Sequence, residues 1–166
     1  MPLPRTLSRH LPPLLLASLL LGVYLSTLAP GLTWANSGSD GGDLITAART
    51  GGIAHPTGYP LYLLLARLFQ AIPIGSLAYR TNLMSAVFAA LSAVLIYGLV
   101  TRVLNLKYGW LAGLTAGLAF GLAPLVWSQA VITEVYTLQA FLTALILYLY
   151  VFPTSRSESL RGLLLG

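Results

Sequence analysis

The sequence predicts an all-α, polytopic membrane protein with four transmembrane helices, the start of a fifth, and a long outer loop containing interfacial helices. Three observations predict it. Hydrophobic residues make up 57% of the 166-residue chain and charged residues only 8%, whereas a soluble domain carries roughly 25% charged residues. Mean hydropathy is +0.81. Several apolar runs are long enough for a hydrocarbon core of about 30 Å. This balance excludes a soluble enzyme, a nucleic-acid-binding module and a disordered tail. The net charge of +5 therefore reports topology, with no nucleic acid implied as a partner. The absence of cysteine excludes disulfides, thiolate metal sites and cysteine nucleophiles.

Residues 1–10, with Arg5 and Arg9, read as a cytoplasmic N-terminus, and residues 11–152 as an N-terminal transmembrane module. The first span is Leu11 to Leu32. A cleaved signal peptide is the competing reading, but Pro30 follows Ala29, and Ala35 has bulky Trp34 beside it, both poor cleavage contexts. Further spans are expected over Thr81 to Val100, Tyr108 to Ser128 and Glu134 to Phe152, with Tyr and Trp residues near their ends as an aromatic belt. Residues 153–162 read as a cytoplasmic loop, and 163–166 as the start of a further span, so the chain reads as a fragment of a longer polytopic protein. Tyr59 to Ile74 is apolar but short, and Arg67 near its centre would cost at least about 2.5 kcal/mol at mid-bilayer. Laying this segment along the membrane puts Arg5, Arg9, Arg102, Lys107, Arg156 and Arg161 inside, against Arg49, Arg67 and Arg80 outside. That is the distribution the positive-inside rule favours. It leaves Asp40, Asp43 and Glu134 on the outer face.

The outer loop spans residues 33–80. Within it Asp43 to Thr50 reads as a short helix stopped by Gly51-Gly52, and His55 to Pro60 as a turn that places Pro60 at the first position of the next helix. That helix, Pro60 to about Ala71, carries Leu61, Leu64, Leu65 and Leu68 on one face and Arg67 with Gln70 on another, the pattern of an interfacial helix. Asp40 and Asp43, three apart, suit an N-cap and a capping-box acid. They also hold two of the chain's four carboxylates on one loop, where interfacial acids default to function. Glu134 reads either as a first-turn acid complementing the helix dipole of the fourth expected span or as a functional group. His55 reads as a turn residue or a ligand, and Arg67 and Arg80 as interface anchors or as bidentate phosphate binders. Trp34 and Tyr59 read as sugar-stacking rings or as belt residues.

The run SDGGDLITAARTGGIAHPTGYPLYLLLARLF, then RTNLMSAVFAAL and VWSQAVITEVYTLQAF, resembles a bacterial family of polytopic membrane proteins. That family is similar to the eukaryotic transmembrane protein O-mannosyltransferase and, more remotely, to GT-C-type glycosyltransferases. The resemblance runs from about Trp34 to Tyr150. It implies a membrane-embedded transferase of the bacterial inner (plasma) membrane, with its N-terminus cytoplasmic and its site loop extracytoplasmic. Such an enzyme moves a sugar, mannose in the eukaryotic relatives, from a polyprenyl-phosphate donor to a hydroxyl on a protein or glycan acceptor. The family's acidic motif falls on Asp40-Gly41-Gly42-Asp43, although its second acid is often Glu, and its Glu-Val-Tyr on Glu134-Val135-Tyr136. The resemblance thus implies Asp40, Asp43 and Glu134 as catalytic residues, Asp40 as the base, and His55, Tyr59, Arg67 and Arg80 as substrate-binding. A divalent cation, if used, would sit on Asp40 and Asp43. The competing class is a non-catalytic polytopic membrane protein, a transporter or structural subunit. A transporter places ionisable groups within its spans, and the expected spans here are free of them.

Overall fold

The computed structural model describes residues 5–151, and among these all regular structure is helical. The helices are α1 (Arg5–Thr27), α2 (Gly41–Thr50), α3 (Pro60–Gln70), α4 (Leu77–Leu104), α5 (Gly109–Gly121), α6 (Pro124–Ala130) and α7 (Tyr136–Val151), with one 3₁₀ turn at Ala35–Ser37. The expected segments at 153–162 and 163–166 lie outside the described residues.

α4 is the central post. It packs against α1, α3, α5, α6 and α7, and with 28 residues at about 1.5 Å each it exceeds a hydrocarbon core of about 30 Å. Two helices, α1 and α4, are individually long and apolar enough to cross a membrane. α1 gives Leu16, Leu20 and Tyr24 to the buried core, and Leu28 just beyond its end joins them.

The third expected span is not one helix. The apolar run from Tyr108 to Ser128 breaks into α5 and α6, bent by 64°. Pro124 lacks an N–H and its ring excludes a continuous ladder. It also drives the preceding residue out of the helical region: Ala123 sits at φ −58, ψ 131. Apolar length hid a break that the proline dictates. The bent pair can count as a third span by length and composition, whereas α7 has 16 described residues. The described residues thus hold two or three candidate spans, where four were expected.

α2 and α3 lie between α1 and α4, in the segment read from the sequence as the outer loop. α2 ends with Gly51 in the left-handed conformation at φ 73, its N–H bonded to Ala47 O, so the glycine stop read from the sequence is a conformational one. α3 starts at Pro60 as expected, and its 11 residues reach only about 16 Å, too short to cross. Its leucine face, Leu61, Leu64 and Leu68, is exposed, while Tyr62, Ala66 and Gln70 are buried against α2 and α4. The Gln70 amide donates to Ile45 O and Thr81 Oγ1, both at 3.2 Å. The exposed leucine face is of the kind an interfacial helix presents to lipid, while the inward face joins the core through Tyr62 and Ala66.

Candidate functional site

One polar residue within α4 organises the end of the bundle where that helix begins. Asn82, 1% exposed, donates to Ala29 O at 2.8 Å and Gly31 O at 3.2 Å, and accepts from Thr133 Oγ1 at 2.6 Å. It thereby ties the exit of α1 to the α6–α7 turn, and Ala29 N–H joins Val131 O at 3.0 Å across the same seam. Gly41 lies in that seam, where a Cβ would come within 3.6 Å of Thr133 Cβ and O. The start of α2 is therefore held against the residue that precedes Glu134.

This brings Asp40 and Glu134 together. Both line one cavity of about 590 Å³ with Ser39, Gln129, Tyr136 and Thr137. Glu134 is 3% exposed and lies in the turn before α7, outside the helix it was expected to open. Burial pushes its carboxyl above the ordinary carboxylate range and neighbouring Asp40 adds to the rise, while the Val135 N–H works against both. Ser85 Oγ donates to the Glu134 carbonyl at 3.4 Å and steadies the turn from α4.

The capping reading of the two aspartates is corrected. Asp40 occupies the N-cap position of α2, yet its side chain makes no cap hydrogen bond. Asp40 Oδ1 accepts from Ser39 Oγ at 3.0 Å, and its Oδ2 lies 3.5 Å from His55 Nε2. Asp43 Oδ2 accepts from both the backbone N–H and Nδ1 of His55, each at 2.8 Å. The carboxylates therefore share one helix face, as the i,i+3 spacing requires, but converge on an imidazole from the next turn. Because a carboxylate only accepts, Nδ1 carries the proton and Nε2 is directed at Asp40. Tyr59, left-handed at φ 45, packs edge-on to the imidazole with ring centroids 5.3 Å apart. A non-glycine residue held there marks local strain at a constrained site.

The hydrogen bond to Asp43 holds His55 above its ordinary 6.5, helped by the charges of Asp40, Asp43 and Glu134. Hydrogen bonds from His55, its backbone N–H first, hold Asp43 below its ordinary 3.8. The raised imidazole stabilises the loop fully below pH 6.5, a contribution lost as pH rises through its folded value. The depressed carboxyl contributes above pH 3.8 and loses that as pH falls through its own folded value. The pair is therefore tightest between those limits. In NMR titration of the labelled protein, His55 should show a midpoint above 6.5, and Asp43→Asn should bring it down; an unchanged midpoint in the variant would break the assignment.

The arginines lie elsewhere. Arg80 donates from Nε to Ile74 O at 2.6 Å, from Nη1 to Gln70 O at 2.8 Å and from Nη2 to Gly75 O at 3.0 Å. Its guanidinium clasps the turn between α3 and α4. Arg67 lines a separate cleft of about 330 Å³ with Gly51, Ile53 and Leu64. Neither joins the acids, so the phosphate-facing role expected of them has no geometric counterpart at the cavity. Trp34 is exposed and does not line the cavity. Among the described residues no group of three or more His, Asp and Glu is placed to hold a metal ion. The sequence reading missed Asn82, Gln129, Thr133 and Thr137. The available signal was polar side chains inside apolar runs, which are costly unless partnered.

Fold and site together define a helical membrane domain with a carboxylate-lined cavity at one end of its central helix. The chain belongs to the family described as Protein O-mannosyl-transferase TMEM260 N-terminal domain, whose pattern matches residues 40–162. The match opens on Asp40 and takes in Asp43, His55 and Glu134. Among curated proteins, Protein O-mannosyl-transferase TMEM260 of Mus musculus is 40% identical over 115 residues, 69% of this chain and 16% of the relative. The Dictyostelium discoideum protein of the same description is 32% identical over 135 residues, 80% of this chain and 16% of the relative. The chain thus spans 16% of the length of each of these relatives. No solved structure matches it.

Proposed function

We propose that this domain carries the acidic part of a GT-C-type glycosyltransferase site, transferring a sugar, mannose by analogy with the named relatives, from a polyprenyl-phosphate donor to an acceptor hydroxyl. The carrying observation is that Asp40 and Glu134, far apart in sequence, line one cavity. In the proposed step the acceptor oxygen bonds to the anomeric carbon and gives its proton to Asp40, while the bond from that carbon to the phosphate oxygen breaks. The lipid phosphate leaves with the electron pair. It is already a good leaving group, so the protein's main task is to deprotonate and orient the acceptor. Asp43 fixes His55, and His55 faces Asp40 from the side away from Ser39, which together restrict where the Asp40 carboxylate points.

The site end is read as extracytoplasmic in a bacterial inner membrane. Supporting this, the acids gather around the start of α4 while Arg102 and Lys107 lie at its far end, beside His10, as a cytoplasmic N-terminus requires under the positive-inside rule. Membranes from cells with and without the gene, assayed with labelled polyprenyl-phosphate sugars, test the reading. Gene-dependent incorporation into protein or glycan is expected. No incorporation from any common donor would overturn it.

A further inference from the structure

We propose that Thr137 is a specificity-determining residue that reads a hydroxyl of the transferred sugar, with Glu134 and Gln129 beside it on the inner wall of the acid cavity. This rests on the glycosyl-transfer reading above and assigns which part of the donor enters the cavity.

The lining divides by chemistry. Ser39, Asp40, Gln129, Glu134 and Thr137 form a polar side, while Phe120, Leu125 and Val126 are among those facing it. No lysine or arginine is among the lining residues, and two carboxylates are. A phosphate placed inside would meet like charge in a partly dehydrated space, which is unfavourable. A neutral ring with hydroxyls on its edge and C–H groups on its faces satisfies both sides. The cavity's volume of about 590 Å³ is of the size that holds small ligands.

Thr137 is the independent observation. It is 4% exposed, lines the cavity one turn beyond Glu134, and its hydroxyl has no hydrogen-bond partner among the described residues. Thr137 is the second residue of α7, so no earlier turn of its own helix offers its hydroxyl a carbonyl of the kind that Thr50, Thr81, Ser92 and Thr115 bond four residues back. A helical threonine has two accessible χ1 positions, so its hydroxyl can turn from the helix wall to the cavity. Buried polar groups are normally satisfied, and of the four among the described residues that are not, Tyr62, Gln70, Thr101 and Thr137, this is the one that lines the acid cavity.

The test uses the intact chain in nanodiscs and measures binding of polyprenyl-phosphate mannose, polyprenyl-phosphate glucose and bare polyprenyl phosphate to the wild type, Thr137→Val and Thr137→Ser. The wild type should prefer one sugar-bearing donor to the bare lipid phosphate. Thr137→Val should weaken that donor about tenfold and leave the bare lipid phosphate unchanged, while Thr137→Ser retains the preference. An equal loss for all ligands in Thr137→Val, or no loss for any, overturns the assignment. Wild-type protein that binds donors and bare lipid phosphate alike overturns the sugar subsite but leaves the donor reading standing. Failure to bind any polyprenyl phosphate overturns both.

Discussion

Asp40→Asn should reduce glycosyl transfer by about 10²–10⁴-fold, the range that a positioned general base contributes, while leaving the domain folded. The substitution preserves shape. The amide oxygen still accepts from Ser39 Oγ, and with the side chain 47% exposed no buried charge is created or removed. What disappears is the ability to take the acceptor's proton. Asp43→Asn should have a smaller effect of a different kind, because Asp43 does not line the cavity. Its carboxylate holds the backbone N–H and ring of His55, so its loss loosens the imidazole that faces Asp40. The two variants separate in one experiment that measures transfer rate and the His55 titration together. Asp40→Asn should lose rate with the His55–Asp43 hydrogen bond intact, and Asp43→Asn should shift His55 and lose less rate. Unchanged transfer by Asp40→Asn would remove Asp40 as the base.

The parts of this arrangement that were legible in the sequence are those set by local chemistry. Apolar length located α1 and α4. Gly51-Gly52 and Pro60 bounded α2 and α3 because a left-handed stop and a missing N–H act within one turn. The spacing of Asp40 and Asp43 correctly put both carboxylates on one face. What that face meets was not legible, since His55 arrives from beyond Gly52 along a turn whose path depends on Tyr59 and Gly58 taking positive φ. Capping was the local answer, and a tertiary partner displaced it. The setting of Arg80 was illegible for a similar reason: it bonds carbonyls of the turn just before it, and only the folded turn aims those carbonyls at one guanidinium. Pro124 was legible and was outweighed by the hydropathy around it. Thr137 offered only the signal of a polar side chain inside an apolar run, which does not tell whether its hydroxyl finds a partner in the fold.

Gly117→Leu should lower the unfolding temperature of the domain by several degrees, and Gly113→Leu by more. Gly109, Gly113, Gly117 and Gly121 recur every fourth residue and are buried on one face of α5, the small-residue spacing that lets membrane helices approach closely. A Cβ at Gly117 would lie 2.6 Å from Leu16 Cδ2 and 3.0 Å from Ala93 O. At Gly113 it would meet Thr101 Oγ1 and lie 2.7 Å from Tyr97 O. Leu16 can turn aside, but the carbonyl of Tyr97 can move only if α4 moves. Overpacking of this kind costs about 1–3 kcal/mol, a shift of roughly 2–4 °C per kcal/mol at this size. Gly22→Leu is the matched control: nothing lies within 4 Å of its Cβ position, so it should be neutral or slightly stabilising, since glycine is the poorer helix former. Unfolding followed by the fluorescence of Trp110 and Trp127, which sit on α5 and α6, reads all three variants, and equal behaviour of Gly22→Leu and Gly113→Leu would contradict the packing argument. The same variants bear on function. α5 carries Phe120 and leads through the Pro124 bend to Leu125 and Val126, all of which line the acid cavity. Wedging α5 away from α4 therefore displaces the apolar wall opposite Glu134, and donor binding should weaken in Gly113→Leu at temperatures where the protein is still folded.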